Sequence, residues 1–304
     1  MQILTDDDLG QFLAEQESQW IGSPSTWTED VIAKLEGKDE AQGHLLPWSK
    51  THPNVKLGKG QVSIWCGING HGKSQFLGQV CAWGLKTGKW CLASMEMTPQ
   101  ASLYRMCRQI AGNKYPSKGY VKSFLEWTDG RLWIYDQSDS VDRERIVAMI
   151  LYCARKLTVD HVIIDSLIKC GIPREDYEKQ AQFVDRLCWV AKREGIHIHL
   201  VHHIRKGENE YKRPNKFDLR GAGELSDLVD NVFIVHRNKL KEHKLKNPET
   251  SQRDLEKFAQ QADQTLSVDK QRHGEWEGTF NFWFHEDSMQ YTPSPDKRPM
   301  PFEF

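Results

Sequence analysis

From residue 61 onward, short apolar runs alternate with longer stretches in which apolar residues recur every three or four positions. The short runs have the length of buried strands, and the longer stretches have the spacing of amphipathic helices. Strands that alternate with helices are typical of a mostly parallel sheet covered by helices on both faces. We therefore predict an α/β fold whose strands lie at 62–66, 90–94, 132–135, 161–164, 196–201 and 232–235.

The last part of this pattern differs from the rest. Two apolar runs, 265–268 and 279–284, have no helical stretch between them, so we predict that they pair as a C-terminal β-hairpin. The helical spacing elsewhere predicts helices at 74–85, 101–110, 143–156 and 181–193.

The chain also divides into segments of different character. Residues 1–45 contain an amphipathic helical pattern and a second short helix at 28–35, and we interpret them as an N-terminal helical appendage or linker. Residues 46–291 form the main domain, in which 239–264 is a charged, helix-prone surface insertion. Residues 292–304 hold four prolines and predict a flexible C-terminal tail.

Composition and charge exclude several classes of protein and of binding site. The 304 residues include 41 Lys and Arg against 42 Asp and Glu, so a generally basic nucleic-acid coat is excluded and any nucleic-acid contact is local. The seven cysteines form no Cys-x-x-Cys pair, which is typical of reduced thiols and excludes a zinc site of the usual spacing. No long apolar run or secretory signal pattern occurs, so we expect a cytoplasmic protein without a membrane contact.

Residues 67–74 carry the strongest chemical signal. They read GINGHGKS and match the phosphate-loop pattern G-x-x-x-x-G-K-[ST], between a predicted strand and a predicted helix. Glycines let backbone N–H groups surround phosphate oxygens, the lysine reaches the β- and γ-phosphates, and the serine hydroxyl can bind magnesium. We therefore predict nucleotide contacts from Gly67, Asn69, Gly70, His71, Gly72, Lys73 and Ser74.

Two carboxylates follow predicted strands. Asp165 ends the run at 161–164, where it can hold magnesium together with Ser74; the alternative is a cap for the next element. Glu96 follows the run at 90–94, where it can orient or deprotonate an attacking water; the alternative is an acid at the start of the next helix.

Four histidines cluster around one predicted strand: His197, His199, His202 and His203. A metal site is conceivable, but no cysteine or carboxylate partner lies near them in the sequence. His203 is at the carboxyl end of the strand, where open parallel sheets bind their ligands. We therefore favour a role for His203 as a sensor of the γ-phosphate.

Several motifs in a fixed order suggest a family. After the phosphate loop come SMEM at 94–97, the Asp165 strand, VHHIRK at 201–206, DLRGAGEL at 218–225 and KQRHG at 270–274. This series resembles the RecA-like motor domain of DnaB-type replicative helicases, above all the helicase half of phage primase–helicases and of mitochondrial Twinkle. The resemblance covers roughly residues 45–291, and its last two motifs are far more specific than the phosphate loop.

The resemblance implies roles for individual residues. Glu96 would activate water, Asp165 would hold magnesium, and His203 would replace the glutamine that bacterial members use as phosphate sensor. Lys270 and Arg272 match a Lys-x-Arg pair that reaches the neighbouring subunit's site as an arginine finger; the alternative is a solvated pair on an edge strand. One further arginine of the family, near the nucleotide, corresponds to Arg237.

A basic loop is the candidate DNA contact. Residues 203–216 read HIRKGENEYKRPNK and lack apolar periodicity, and in the resembled family this loop lines the central channel of the ring. The alternative is a solvated surface loop. The predicted DNA-binding residues are Arg205, Lys206, Lys212, Arg213 and Lys216.

We therefore expect an ATP-dependent replicative DNA helicase that uses ATP or another NTP with Mg²⁺. It would move along single-stranded DNA as a homo-oligomeric ring, expected to be a 5′-to-3′ hexamer, in the host cytoplasm if phage-encoded. A primase, a polymerase and a single-strand-binding protein are candidate partners. The alternatives are a recombinase ATPase that forms filaments on DNA and a loader ATPase that remodels a protein.

Overall fold

The computed structural model describes residues 23–36, 43–137, 139–204, 211–218 and 222–304. The chain divides into two compact units, residues 1–43 and 44–304. In the described part of the first unit, a 3₁₀ turn at Pro24–Trp27 precedes helix α1 at Thr28–Leu35, which confirms the short helix predicted there. Its first turn carries Glu29 and Asp30, which favour the positive end of a helix dipole.

A nine-stranded sheet forms the centre of the second unit, in the order β11-β10-β9-β8-β3-β7-β6-β4-β5. A separate two-stranded sheet pairs β1 with β2. The strands are β1 His44–Leu45, β2 Lys56–Leu57, β3 Val62–Gly67, β4 Trp90–Ser94, β5 Leu132–Ile134, β6 His161–Asp165, β7 His197–His203, β8 Asn231–Arg237, β9 Gln264–Gln271, β10 Gly278–His285 and β11 Gln290–Thr292.

The direction of the strands confirms the predicted fold class. Strands β8, β3, β7, β6, β4 and β5 are parallel to one another, and β9, β10 and β11 continue the sheet in antiparallel pairs. All six residues of β3 are buried, as expected for a parallel strand covered on both faces. The predicted C-terminal hairpin is β9–β10, and β11 extends it by a strand that the sequence analysis did not predict.

Helices cover both faces of this sheet. Alternate residues of β3 divide between the two cores, since Ile64 packs in one hydrophobic cluster and Trp65 in the other. Helix α4 was not predicted; it begins after Ser117, whose hydroxyl accepts the Tyr120 N–H, and it buries Phe124. The helices of the second unit are α2 Lys73–Gly84, α3 Pro99–Ala111, α4 Lys118–Thr128, α5 Arg143–Lys156, α6 Tyr177–Glu194, α7 Ala222–Leu228, α8 Lys239–Lys246 and α9 Gln252–Ala259.

The insertion at 239–264 contains the helices α8 and α9, as its helix-prone composition suggested. Asn238 caps α8 by accepting the Lys241 N–H, and Ser251 caps α9 by accepting the Asp254 N–H. None of the described helices is long and apolar enough to cross a membrane.

The C-terminal segment differs from the flexible tail that we predicted. Phe302 is only 7% exposed and packs against Trp83, Phe124 and Trp127, with ring centroids 5.0–6.2 Å apart. Met300 is fixed as well, because its N–H donates to the Gln290 side chain at 2.7 Å. The prolines suggested a lack of regular structure, but burial of an aromatic side chain is favourable enough to fix a segment without regular hydrogen bonds.

Candidate nucleotide site

The phosphate loop joins β3 to α2, as the sequence predicts. Gly70 and Gly72 have φ values of +79° and +83°, which side-chain-bearing residues rarely adopt. A Cβ atom on Gly72 would also collide with the hydroxyl of Tyr291, and one on Gly67 would collide with the carbonyl oxygen of Val235. The loop therefore has its shape because glycines occupy these positions.

Lys73 lies under the loop and is almost fully buried. Its ammonium group lies 2.9 Å from the Gly67 carbonyl oxygen, 3.3 Å from that of Ile68 and 3.2 Å from Nδ1 of His203. Burial lowers the pKa of Lys73, and the nearby Asp165 opposes that shift. All three partners are formally neutral groups, so the ammonium is available to a phosphate oxygen.

His71 belongs to the same loop, but its side chain faces the protein interior. Its ring is buried 5.2 Å from the ring of His236, and its Nδ1 accepts the backbone N–H of Arg237 at 3.2 Å. Burial lowers the pKa of His71 to about 4, so the ring is neutral at physiological pH. Its backbone, rather than its imidazole, is the part that can face a nucleotide.

Asp165 ends β6 close to Ser74. Asp165 is only 3% exposed. This burial raises the pKa of its carboxyl group, and a hydrogen bond from the Ser74 hydroxyl opposes that shift. A hydroxyl and a carboxylate are the oxygen ligands that Mg²⁺ prefers, and such sites are completed by phosphates and water. No cluster of three or more His, Cys, Asp or Glu side chains suited to a metal occurs in the described segments.

Glu96 follows β4 and faces the same cleft. Its Oε1 accepts the Ser166 hydroxyl at 2.6 Å and lies 3.4 Å from Nε2 of His203. The hydrogen bond with His203 lowers the pKa of Glu96 to about 2; burial opposes this, and the Ser166 hydroxyl adds to it. Since both contacts fall on Oε1, the other carboxylate oxygen can accept a hydrogen bond from water.

His203 connects the phosphate-binding lysine to this carboxylate. The Lys73 ammonium can only donate, so Nδ1 of His203 accepts and Nε2 carries the proton that faces Glu96. His203 thus lies between the group that would bind phosphate and the group that would bind water. This position is the one expected of a phosphate sensor.

The other histidines of the predicted cluster belong to the sheet core. His197 lies 2.7 Å from the Gly58 carbonyl oxygen and 2.8 Å from the Ser63 hydroxyl, and His199 lies 3.1 Å from His161. The indole of Trp90 stacks on His161 with ring centroids 4.1 Å apart. Burial lowers the pKa values of all three buried imidazoles, which are therefore neutral packing groups: His161, His197 and His199.

A cavity of about 460 Å³ is lined by Glu96, Asp165 and His203, and also by Arg237 and further residues described below. Arg237, at the end of β8, lines it and forms an ion pair with Glu242 of α8. The sequence analysis predicted Arg237 but missed other lining residues, because no sequence motif marks them and only the folded chain brings them together. Among them are Met97, Arg105, Gln264, Phe284, Tyr291 and Lys297.

Lys270 and Arg272 lie away from this cavity. Residue 270 pairs with Val232 near the start of β8, whereas Arg237 at the other end of β8 pairs with Gln264. Six residues of strand separate 264 from 270, roughly 20 Å. Both side chains donate to backbone carbonyls at the end of α7, Lys270 to Ser226 at 2.7 Å and Arg272 to Asp227 at 2.7 Å.

The predicted DNA-binding residues are described only in part. Arg205 and Lys206 lie outside the described residues. Lys212 is exposed, Arg213 donates to the Thr279 hydroxyl at 2.9 Å, and Lys216 donates to the Asp269 carbonyl at 3.0 Å. Arg213 thus contacts β10 and Lys216 contacts β9, the strand that carries Lys270.

Comparison with known proteins relates this chain to DnaB-like helicases. A family model described as the DnaB-like helicase C terminal domain matches residues 56–293. A DNA helicase/primase of Enterobacteria phage T3 is 25% identical over 265 residues, which are 76% of this chain and 46% of the phage protein. A Twinkle homolog protein, chloroplastic/mitochondrial, of Arabidopsis thaliana is 23% identical over 227 residues, 66% of this chain and 32% of that protein. The chain therefore matches less than half the length of either relative.

Solved structures have the same fold. An ATPase domain has a TM-score of 0.70 at 16% identity, and the match covers 90% of this chain and 99% of that domain. A DnaB-like replicative helicase, solved in a study of its interactions with primase, has a TM-score of 0.66 at 16% identity over 90% of this chain and 67% of that one.

Proposed function

Because this chain belongs to the DnaB-like helicase C-terminal domain family, we propose that it is the ATP-driven motor of a replicative DNA helicase. The observation that carries the proposal is the convergence of Lys73, Asp165, Glu96 and His203 at one edge of the sheet. Lys73 begins α2 after the phosphate loop, and the other three groups lie at or just after the ends of β4, β6 and β7; their types are those that phosphoryl transfer requires.

Each group has a chemical task in ATP hydrolysis. The loop N–H groups and Lys73 bind the phosphates, and Lys73 exchanges its neutral partners for phosphate oxygens. Ser74 and Asp165 would hold Mg²⁺, which supplies charge neutralisation of the phosphates when bound. Glu96 is ionised at neutral pH and accepts a hydrogen bond from the attacking water.

His203 links phosphate occupancy to the carboxylate. When Lys73 turns to a phosphate, Nδ1 of His203 loses its donor, so the imidazole can reorient. That change alters the hydrogen bond to Glu96 and moves the start of the loop that follows β7. ATP binding and hydrolysis would in this way change the conformation of the loop that we propose contacts DNA.

Lys270 and Arg272 act on a neighbouring copy of the chain. Their distance of roughly 20 Å along β9 from the residues that line the cavity supports contact with another subunit's nucleotide rather than their own. A guanidinium that donates to two phosphate oxygens stabilises the charge of the transition state. We therefore propose a homo-oligomeric ring, taken as a hexamer that moves 5′ to 3′, in which each site is completed by the adjacent subunit.

We propose that the motor binds single-stranded DNA and moves along it. Lys212, Arg213 and Lys216, with Arg205 and Lys206, supply positive charge from one segment of a chain whose net charge is −1. Phosphate contacts of this kind give little sequence preference and strong salt dependence. A primase, a polymerase and a single-strand-binding protein are the proposed partners of the motor.

The test is ATP hydrolysis and strand displacement on forked DNA. We expect Glu96→Gln to bind ATP normally and to lose turnover and unwinding, because the amide cannot act as a base. Glu126→Gln is the matched control, since Glu126 lies on an exposed helix surface, where it pairs with Lys122. Full unwinding by Glu96→Gln would contradict the assignment.

The alternatives predict other results in the same assay. A filament-forming recombinase would hydrolyse ATP with DNA but would displace no strand, and electron microscopy would show open filaments. A loader that remodels a protein would hydrolyse ATP without stimulation by DNA. DNA-stimulated hydrolysis together with strand displacement supports the helicase.

A further inference from the structure

The C-terminal segment, residues 294–304, reaches the nucleotide cavity although it lies beyond the family match at 56–293. Lys297 of this segment lines the cavity. After Lys297 the segment is held by Phe302 in an aromatic cluster and by two hydrogen bonds between Gln290 and Met300 at 2.7 and 3.2 Å. Before Lys297 it is held by the Thr292 hydroxyl, which donates to the Ser294 carbonyl at 3.3 Å. The lysine is therefore part of a fixed wall.

The backbone at Lys297 supports a specific role for the side chain. Its φ is +53°, in the left-handed region that residues with a side chain rarely adopt. Its N–H donates to the Ser294 carbonyl at 3.2 Å, which closes a tight turn. Its ammonium lies 2.8 Å from a carboxylate oxygen of Asp263, and the side chain remains 41% exposed. One donor direction is thus used, and the others are available to a ligand in the cavity.

Asp263 is itself held in place. It accepts the Phe284 N–H at 2.9 Å and pairs with Lys241 at 2.7 Å, so it joins β10 and α8 to the C-terminal segment. Asp263 directly precedes β9, and Phe284 lies near the end of β10. Lys297 is therefore fixed above the carboxyl edge of β8 and the adjoining ends of β9 and β10.

The strand order shows which part of a nucleotide would lie there. Asp165 ends β6, two strands from the phosphate loop of β3, and Asp263 precedes β9, two strands from β3 on the other side. Strands lie about 4.8 Å apart, so about 19 Å separates these two positions. If the γ-phosphate lies beside Asp165 and Glu96, as the proposed function requires, the nucleoside half would extend along the cavity toward β8, β9 and β10.

We infer that Lys297, positioned by Asp263, is a nucleotide-contacting residue that donates hydrogen bonds to the ribose or base. This rests on the proposed function only in requiring that the cavity binds a nucleoside triphosphate. Ribose hydroxyls and the ring nitrogen and carbonyl atoms of bases are acceptors that an ammonium can reach. The C-terminal segment thus belongs to the binding site of this chain, and the aromatic cluster around Phe302 keeps the lysine in position.

The test compares two probes, ATP and inorganic triphosphate, each titrated calorimetrically against the full chain in the presence of Mg²⁺. We expect Lys297→Met to weaken ATP binding about tenfold and to leave triphosphate binding unchanged. Methionine keeps an apolar stem of similar length, and Lys297→Ala is a second variant with the same expected result. Arg298→Ala is the matched control, because the Arg298 side chain is 86% exposed and pairs with Asp296 of the same segment.

The remaining outcomes overturn the inference. If Lys297→Met keeps the ATP affinity of the wild type but has a lower melting temperature, Lys297 stabilises the C-terminal segment and does not contact the nucleotide. Equal weakening for both probes would show that the lysine contacts phosphates instead of the nucleoside. A wild-type chain that binds neither probe would refute the proposed function as well, so the two failures are distinguishable.

Discussion

Replacing Ser166 with alanine removes one hydrogen bond to Glu96 and little else. The serine is fully buried, and its hydroxyl donates to Oε1 at 2.6 Å. The remaining anchor is His203, whose Nε2 lies farther away, at 3.4 Å from the same oxygen. The variant therefore keeps the carboxylate but loses the shorter of its two contacts.

The size of the effect follows from the charge on the acceptor. A hydrogen bond to a charged group contributes about 1.5–3 kcal/mol, and each 1.4 kcal/mol corresponds to about a tenfold change in rate. If the bond acts by holding Glu96 against the attacking water, kcat should fall about 10- to 100-fold. Nucleotide affinity should stay the same, because the hydroxyl faces Glu96 and not the phosphates.

The assay is steady-state ATP hydrolysis with a parallel measurement of nucleotide binding. Ser94→Ala is the matched control, since this buried hydroxyl at the end of β4 has no hydrogen-bond partner among the described residues. A kcat for Ser166→Ala equal to that of the wild type would refute the positioning of Glu96 by this serine. An equal loss in both variants would attribute the effect to packing around the strand ends.

Three further predictions concern the loop, the C-terminal segment and the histidine core. Gly72→Ala should weaken nucleotide binding tenfold or more in a fluorescence titration, because φ of +83° and a tyrosine hydroxyl both oppose a Cβ atom; unchanged affinity would contradict this. Phe302→Ala should lower the free energy of unfolding in urea by about 3 kcal/mol, and a loss below about 0.5 kcal/mol would show that the segment contributes no packing. Burial lowers the folded-state pKa values of three histidines below 6.5, to about 4 for His197, so their protonation favours the unfolded chain. The free energy of unfolding should therefore fall as pH drops from about 7 to about 5, and a flat profile would contradict the neutral state of His161, His197 and His199.

The strands and the phosphate loop were predictable because their signals are local. Buried parallel strands are nearly continuous apolar runs, so β3 and β6 stand out from the polar segments around them. The loop has a fixed pattern of residue types, and Asp165 and Glu96 follow strands that the same pattern identifies. The family match confirms the resemblance that these motifs suggested.

Long-range partners were not predictable in this way. A serine after a strand gives no sign that its hydroxyl will meet Glu96, 70 positions earlier in the chain. The contact of Lys297 with Asp263 likewise depends on how β9, β10 and the C-terminal segment pack, and prolines near the lysine suggested a loose tail instead. Helix α4 was missed although Tyr120, Phe124 and Trp127 recur at helical spacing and Ser117 is a regular cap, so the local signal for this helix was present in the sequence.

Mixing two inactive variants tests most directly whether each nucleotide site is completed by the adjacent copy. Arg272→Ala retains Glu96 and its own phosphate loop, whereas Glu96→Gln retains the arginine that would reach a neighbour. We expect each variant alone to hydrolyse little ATP and the mixture to recover hydrolysis in the presence of single-stranded DNA, since some interfaces then join an intact carboxylate to an intact arginine. A co-assembled mixture as inactive as its parents, or an Arg272→Ala protein with full activity by itself, would contradict a shared site.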